Sequence, residues 1–305
     1  MNIASIDIGT NTVLMVIAEV NADASYNVIK QEYDVARLGE GVDKTKLINK
    51  RGLKRVIDIL HHFKDIADKH KVEHIFCSGT SALRDAENKS DVVKSISDAT
   101  GIIVEIISGD TEAYLTYTGA VDKSGRNFLI DIGGGSTEYI VGENKGLVFK
   151  KSLNIGAVRI TERYFDKQPP GEINIKNAEE FIRSEIESNI SENISQIDNY
   201  FAAAGTATTI ATSANGLKDH EVDKIEGYVL DYETLCDVFD KYSKSETVKI
   251  IEKYGVHPRR ADLITAGTLI LRNSFEVLGI KELTISSKGL RFGFLKQKIQ
   301  EIIHM

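Results

Sequence analysis

One short pattern occurs twice in this chain, and little else constrains the fold as strongly. The stretch NFLIDIGGGSTEYIVG, Asn127 to Gly142, has an apolar run through Phe128, Leu129 and Ile130 that ends in Asp131. A turn of Gly133, Gly134, Gly135, Ser136 and Thr137 follows, then a second run from Glu138 to Val141. The N-terminus repeats the design: ASIDIGTNTVLMVIAEV places Asp7 at the end of an Ile-rich run, then a turn of Gly9, Thr10, Asn11 and Thr12, then another strand. Successive glycines remove the side chains that keep a ligand off the backbone, so several N–H groups and two hydroxyls can converge on one anion. A single GGGS is better read as an ordinary hairpin loop. Its repetition points instead to an internal duplication, with one phosphate-binding hairpin in each half of the molecule.

Two such hairpins facing each other would hold a polyphosphate between them. The aspartate at each turn then poses a problem, because like charges about 4 Å apart repel by roughly 4 kcal/mol at an effective dielectric near 20. A hard cation between carboxylate and phosphate resolves it, and Mg²⁺ is the expected ion.

The remaining pattern alternates strands and helices, an α/β plan behind a leading hairpin. Asn27 to Glu32 continues the sheet, and Glu40, Gly41 and Val42 read as loop. Leu53, Val56, Ile57, Leu60, Phe63, Ile66 and Ala67 recur at helical spacing from Lys50 to Lys69. A buried strand from His74 to Cys77 leads into SGTSALRDAEN, and a helix capped by Ser90 runs to Ala99 before Gly101. A strand from Ile102 to Ile107 leads into SGDTEA and a helix from Thr111 to Ala120.

Functional groups in such folds gather at the carboxyl ends of strands. There Arg84 can offer a planar donor fork to phosphate, or equally pair with Asp85 or Glu87 as a surface arginine. Glu112 lies in a first helical turn, where an acid is more often an electrostatic cap than a catalyst.

In the second half, a third strand runs from Gly146 to Ser152, and LNIGAVRITERYF enters a helix with Arg159 on its first turns. After Pro169 and Pro170, an amphipathic helix is expected from about Ile175 to Ile197. Gly205 and Thr206 open the next helix, a place suited to an anion or a ribose, although small residues there also serve close packing. Asp231 and Ser245 are read as caps, and a helix spans Ala261 to Leu278. A strand from Glu282 to Ile285 and a terminal helix complete the chain.

A chain of 305 residues fits two domains. The net charge of −7 argues against a general nucleic-acid binder. No apolar run approaches the roughly 20 residues of a membrane span, and no signal-like segment precedes the first strand, so the expected location is the cytoplasm. Cys77 and Cys236 are too few for a disulfide framework or a zinc site. The seven histidines lack metal-like spacing and are read as non-catalytic.

With these residues in place, the sequence resembles the exopolyphosphatase and guanosine pentaphosphate phosphohydrolase (Ppx/GppA) family. SIDIGTNT, GTSALRDAEN, ISGDTEAYLTYTGA, DIGGGSTE, LNIGAVRITE, AGTATTIA, RRADLITAG and SSKGLRFG fall in the family's order from end to end. The resemblance implies two ribonuclease-H-like domains of the actin-like ATPase type with a cleft between them. Residues 1–122 would form the first, with a helix at about 290–305 packing back on it, and 123–289 the second. It implies that Glu112 orients or deprotonates the attacking water and that Arg84 contacts the scissile phosphate. Asp131 and Glu138, with Asp7, would hold Mg²⁺ directly or through water. Asn11, Thr12 and the turn from Gly133 to Thr137 would grip phosphates, with Gly205 and Thr206 a further contact. A homodimer acting on inorganic polyphosphate or guanosine pentaphosphate is the corresponding expectation.

Three positions depart from the family pattern. Thr111 stands where a second glutamate is common, Ala204 where a glycine precedes Gly205, and Phe292 where an acid follows arginine. Ending at Met305, the chain offers a shorter track than long family members, so short polyphosphate is favoured. The alternatives are a guanosine pentaphosphate hydrolase, a kinase or ATPase of the same superfamily, and a silent sensor of guanosine tetra- or pentaphosphate.

Overall fold

The computed structural model describes residues 1–143, 146–190, 194, 196–218, 221 and 224–303. The chain forms two compact units, Met1–Gly119 with Gly289–Met305, and Ala120–Lys288.

In the first unit, β1 (Asn2–Ile8) pairs antiparallel with β2 (Thr12–Val20), and β2 with β3 (Tyr26–Val35). On its other side β1 runs parallel to β4 (His74–Gly79), which runs parallel to β5 (Val104–Ile106). The order is therefore β3-β2-β1-β4-β5. Alternation along β1 sends Ala4, Ile6 and Ile8 into a core with Val56, Leu60 and Phe63 of α2 (Lys50–Lys69) and Val92 and Ile96 of α4 (Lys89–Thr100). Ile3, Ser5 and Asp7 face the opposite way. Ile3 packs there against Phe292, Leu295 and Ile299 of the terminal helix α12 (Leu290–Ile303), and the Ser5 hydroxyl donates to the Arg291 carbonyl.

Helix α2 spans the expected residues, with Asn49 accepting from the Gly52 N–H as its cap. Ser90, expected as a cap, lies inside α4. That helix begins two residues earlier, after Asn88, whose side-chain amide is spent on both backbone groups of Ile48. Val42, expected in a loop, opens the short helix α1 (Val42–Thr45). Helix α5 (Gly109–Ala120) starts ahead of Thr111 because Ser108 accepts from the Thr111 N–H. The Thr111 hydroxyl bonds Ser108 as well, so this departure from the family pattern serves the cap. Phe292, the other departure in this unit, is 2% exposed and belongs to the packed face of α12.

The second unit repeats the first. Strands β6 (Arg126–Ile132), β7 (Thr137–Glu143) and β8 (Gly146–Leu153) form the antiparallel meander, and β9 (Asn199–Ala203) runs parallel to β6. Next come β11 (Glu282–Ile285), parallel to β9, and an edge strand β10 (Val229–Asp231) that the sequence pattern did not reveal. The order β10-β11-β9-β6-β7-β8 is that of the first unit with one strand added.

Phe128, Ile130, Ile132, Tyr139 and Val141 pack on one face against α7 (Glu172–Asn189), α8 (Ala204–Ala214), α9 (Tyr232–Ser243) and α11 (Ile264–Leu278). There the Tyr139 hydroxyl lies 2.8 Å from that of Ser274. Asp231 caps α9 as expected. Ser245 does not cap α10 (Thr247–Tyr254): it is buried one residue before the cap position. Helix α7 starts earlier than expected, at Glu172, and part of its expected C-terminal end, with His220 and His304, lies outside the described residues. Among the described residues, no helix is long and apolar enough to cross a membrane.

Candidate active site

The two glycine turns close in the same way. In each, the glycine two residues after the aspartate donates its N–H across the turn, Gly9 to the Thr12 carbonyl at 2.9 Å and Gly133 to the Ser136 carbonyl at 3.0 Å. In each, the other carbonyls are bound from behind. Gly39 and Arg37 N–H groups hold the Thr10 and Asn11 carbonyls in the first unit. In the second, the start of α6 (Ala157–Tyr164) does this work: Ala157 N–H binds the Gly133 carbonyl, and Val158 and Arg159 N–H groups bind that of Gly134. Because a trans peptide points its C=O and N–H in opposite directions, carbonyls anchored inward turn the next N–H groups outward. Among the described residues none accepts from the N–H groups of Asn11, Gly134, Gly135 or Ser136. The second turn is thus a nest of oriented donors, a fitting site for an anion, and the first presents the Asn11 N–H in the same way.

The hydroxyls have other duties. Ser136 donates to Glu138 at 2.7 Å, and Thr137 donates to the Ile155 carbonyl. In this turn the backbone therefore carries the donors. In the first unit the Asn11 Oδ1 is buried and without a partner. Its amide is free to meet a ligand with either end, since the two ends differ only in assignment.

At the carboxyl ends of the first unit's parallel strands, α3 (Ser81–Asp85) follows β4 and α5 follows β5. This brings Arg84 to Glu112: Nη1 donates to Glu112 Oε2 at 2.7 Å and to the Ile107 carbonyl at 3.1 Å. The pair is half-withdrawn from solvent, the Glu112 side chain being 12% exposed. Burial pushes the Glu112 carboxyl above the ordinary carboxylate range; Arg84 pulls it down, and the charge of Asp85 adds to the rise. A carboxylate in this setting can act as a general base, and the guanidinium beside it suits a phosphoryl oxygen.

Asp131 and Glu138 are directly opposed across β6 and β7 and share one face of the sheet. Glu138 is 3% exposed, and its Oε1 accepts from both Ser136 and Ser152, the latter at 2.6 Å. Two opposed carboxylates make an oxygen donor pair of the kind a hard divalent cation such as Mg²⁺ takes. The first turn differs here: Asp7, 8% exposed, is opposed by Leu14. Among the described residues, no group of three or more His, Cys, Asp or Glu side chains gathers as a metal site.

Gly205 and Thr206 open α8 beside the end of β6, since Asp131 pairs in register with Ala203. Both also have packing roles. A Cβ on Gly205 would stand 3.2 Å from the Arg260 guanidinium, and Thr206 fills the space that a Cβ on Gly267 would need. Two site features escaped the sequence reading. Ser152 reaches Glu138 from the neighbouring strand, and the Arg159 Nε donates to the Gly135 carbonyl at 2.8 Å. The register of β7 on β8 is the only signal for the first, and nothing local marks the second.

A model of the Ppx/GppA phosphatase family matches residues 16–301. The bifunctional 3-dehydroquinate synthase/phosphatase of Fusobacterium nucleatum is 32% identical over 97% of this chain, which spans 46% of that longer protein. Exopolyphosphatase 2 of Mycobacterium tuberculosis is 28% identical, over 95% of this chain and 96% of its own. The crystal structure of the Aquifex aeolicus Ppx/GppA family member superposes with a TM-score of 0.81 at 29% identity, covering 100% of this chain and 99% of that one.

Proposed function

This chain belongs to the Ppx/GppA phosphatase family, and with it to the phosphoanhydride hydrolases, and we propose that it removes the terminal phosphoryl group of short inorganic polyphosphate as orthophosphate. The observation that carries the reading is the Arg84–Glu112 pair at the strand ends of a unit that also presents an anion-binding turn. Water attacks the terminal phosphorus in line with the bridging oxygen, the P–O bond to that oxygen breaks, and the shortened chain leaves. Glu112 takes the proton of the attacking water. Arg84 meets the non-bridging oxygens, where phosphoryl transfer most needs positive charge.

The turns at Asn11–Thr12 and Gly133–Thr137 hold phosphates through backbone N–H groups that need no reorganisation on binding. Asp131 and Glu138 would hold Mg²⁺, which when bound supplies further neutralisation of phosphate charge. The Arg260 guanidinium against Gly205 leaves little room for a ribose to approach that backbone, which favours an inorganic chain over a nucleotide.

The test is a phosphate-release assay with Mg²⁺ on short polyphosphate, long polyphosphate, guanosine pentaphosphate and ATP. Release fastest from short polyphosphate is expected. Transfer of phosphate from ATP to a second molecule would favour a kinase, and binding of guanosine pentaphosphate without turnover a sensor.

A further inference from the structure

We propose that Arg159 is a positioning residue of the second glycine turn, whose Nε–H on the Gly135 carbonyl sets the direction of the Ser136 N–H toward a bound phosphate. The inference rests on the phosphate-binding reading of that turn. Three consecutive peptides are anchored by the start of α6: Gly133 by the Ala157 N–H at 2.9 Å, Gly134 by the Val158 N–H at 2.9 Å, and Gly135 by the Arg159 side chain at 2.8 Å. Two of these anchors are main-chain groups that any residue provides. The third exists only because position 159 is an arginine. The loop and α6 are also pressed together, since a Cβ on Gly156 would stand within 2.5 Å of the Gly135 carbonyl carbon and closer still to Gly134.

Arg159 is 7% exposed, so its guanidinium is fixed beneath the loop. Gly135 has no Cβ to resist a change of backbone dihedrals, and without the anchor the 135–136 peptide is free to turn over. Turned over, it would present a carbonyl to the anion in place of a donor. Among the described residues the first unit's turn shows no side-chain counterpart: main-chain N–H groups of Gly39 and Arg37 hold its carbonyls.

Wild type, Arg159→Lys and Arg159→Ala are compared for binding of inorganic tripolyphosphate by calorimetry, and for KM and kcat on the same compound. Both variants should bind roughly tenfold more weakly, the effect of one charge-assisted donor, through KM and with kcat changed by no more than about threefold. Lysine keeps the charge but not the fixed Nε–H, so it should behave like alanine. Millimolar guanidinium should restore binding to Arg159→Ala and leave wild type unchanged, a response that a general loss of packing would not give.

Unchanged affinity in both variants overturns the inference, as does full recovery in Arg159→Lys, which would assign the effect to charge. Thermal midpoints are measured alongside, and a lowered midpoint with unchanged affinity also counts against it. If wild type binds no tripolyphosphate, the phosphate reading itself falls and this inference with it.

Discussion

The terminal helix should govern catalysis through the helix that carries Glu112, and Gly293→Ala measures how far. A Cβ at Gly293 would lie 2.6 Å from the Leu115 carbonyl carbon and 2.9 Å from its Cα, and nearer still to its oxygen. The obstruction is backbone on both sides, so no side chain can move aside. Restoring an ordinary van der Waals contact to that oxygen, the nearest of the three atoms, requires α5 and α12 to part by roughly 1.5 Å. Overpacking of this kind costs about 3 kcal/mol, which lowers the unfolding midpoint by roughly 5–10 °C.

Leu115 is one helical turn beyond Glu112, so the shift is passed to the Arg84–Glu112 contact of 2.7 Å. A displacement of roughly 1 Å at a reacting group reduces kcat by about a hundredfold. Gly289→Ala is the control at the start of the same helix, where an added Cβ meets nothing within 4 Å. It should leave both midpoint and kcat near wild type. The assays are thermal unfolding followed by circular dichroism and phosphate release under saturating polyphosphate. A Gly293→Ala protein with wild-type midpoint and kcat, or equal losses in the two variants, would refute the close-crossing argument.

Other outcomes follow from the site. Glu112→Gln should lower phosphate release by about 10²–10⁴-fold, with the circular dichroism spectrum and the unfolding midpoint kept. Glu112 must be ionised to accept a proton, so its raised pKa places the acid limb of the pH–rate profile above that of an exposed glutamate, with the rate rising as pH climbs through it. Arg84→Met removes the group that lowers this pKa, and the limb should move to still higher pH; a move downward would contradict the assignment. Removal of divalent cations by EDTA should stop phosphate release and added Mg²⁺ restore it, and Asp131→Asn should raise the Mg²⁺ concentration needed for half-maximal rate.

Much of this was legible in the residues because it is local. Helix α2 and the two Asp–Gly turns are written in periodicities and turn residues that act within one or two turns of chain, and the duplication shows as the same order of residues at both places. What escaped is what the tertiary fold brings together. Arg84 and Glu112 were each readable with a surface role, and only the parallel pairing of β4 with β5 sets their helices side by side. Ser90 looked like a cap because Ser is a good one, but the asparagine before it sets the boundary through its contacts to a distant loop. The Arg159 anchor spans 24 residues with no pattern to announce it. The hydroxyls of Ser136 and Thr137 read as ligand donors in the sequence, but the fold engages both within the protein.

The most direct test is to let the enzyme turn over short polyphosphate in water enriched in the heavy oxygen isotope and follow the products by phosphorus NMR and mass spectrometry. Sampled early in the reaction, while every chain still holds three or more phosphates, water attack at the chain end predicts that each released orthophosphate carries one heavy oxygen, while the remaining chain shortens by single units and gains none. Heavy oxygen in the shortened chains, mixed internal fragments, or orthophosphate without the isotope at that stage would contradict the account.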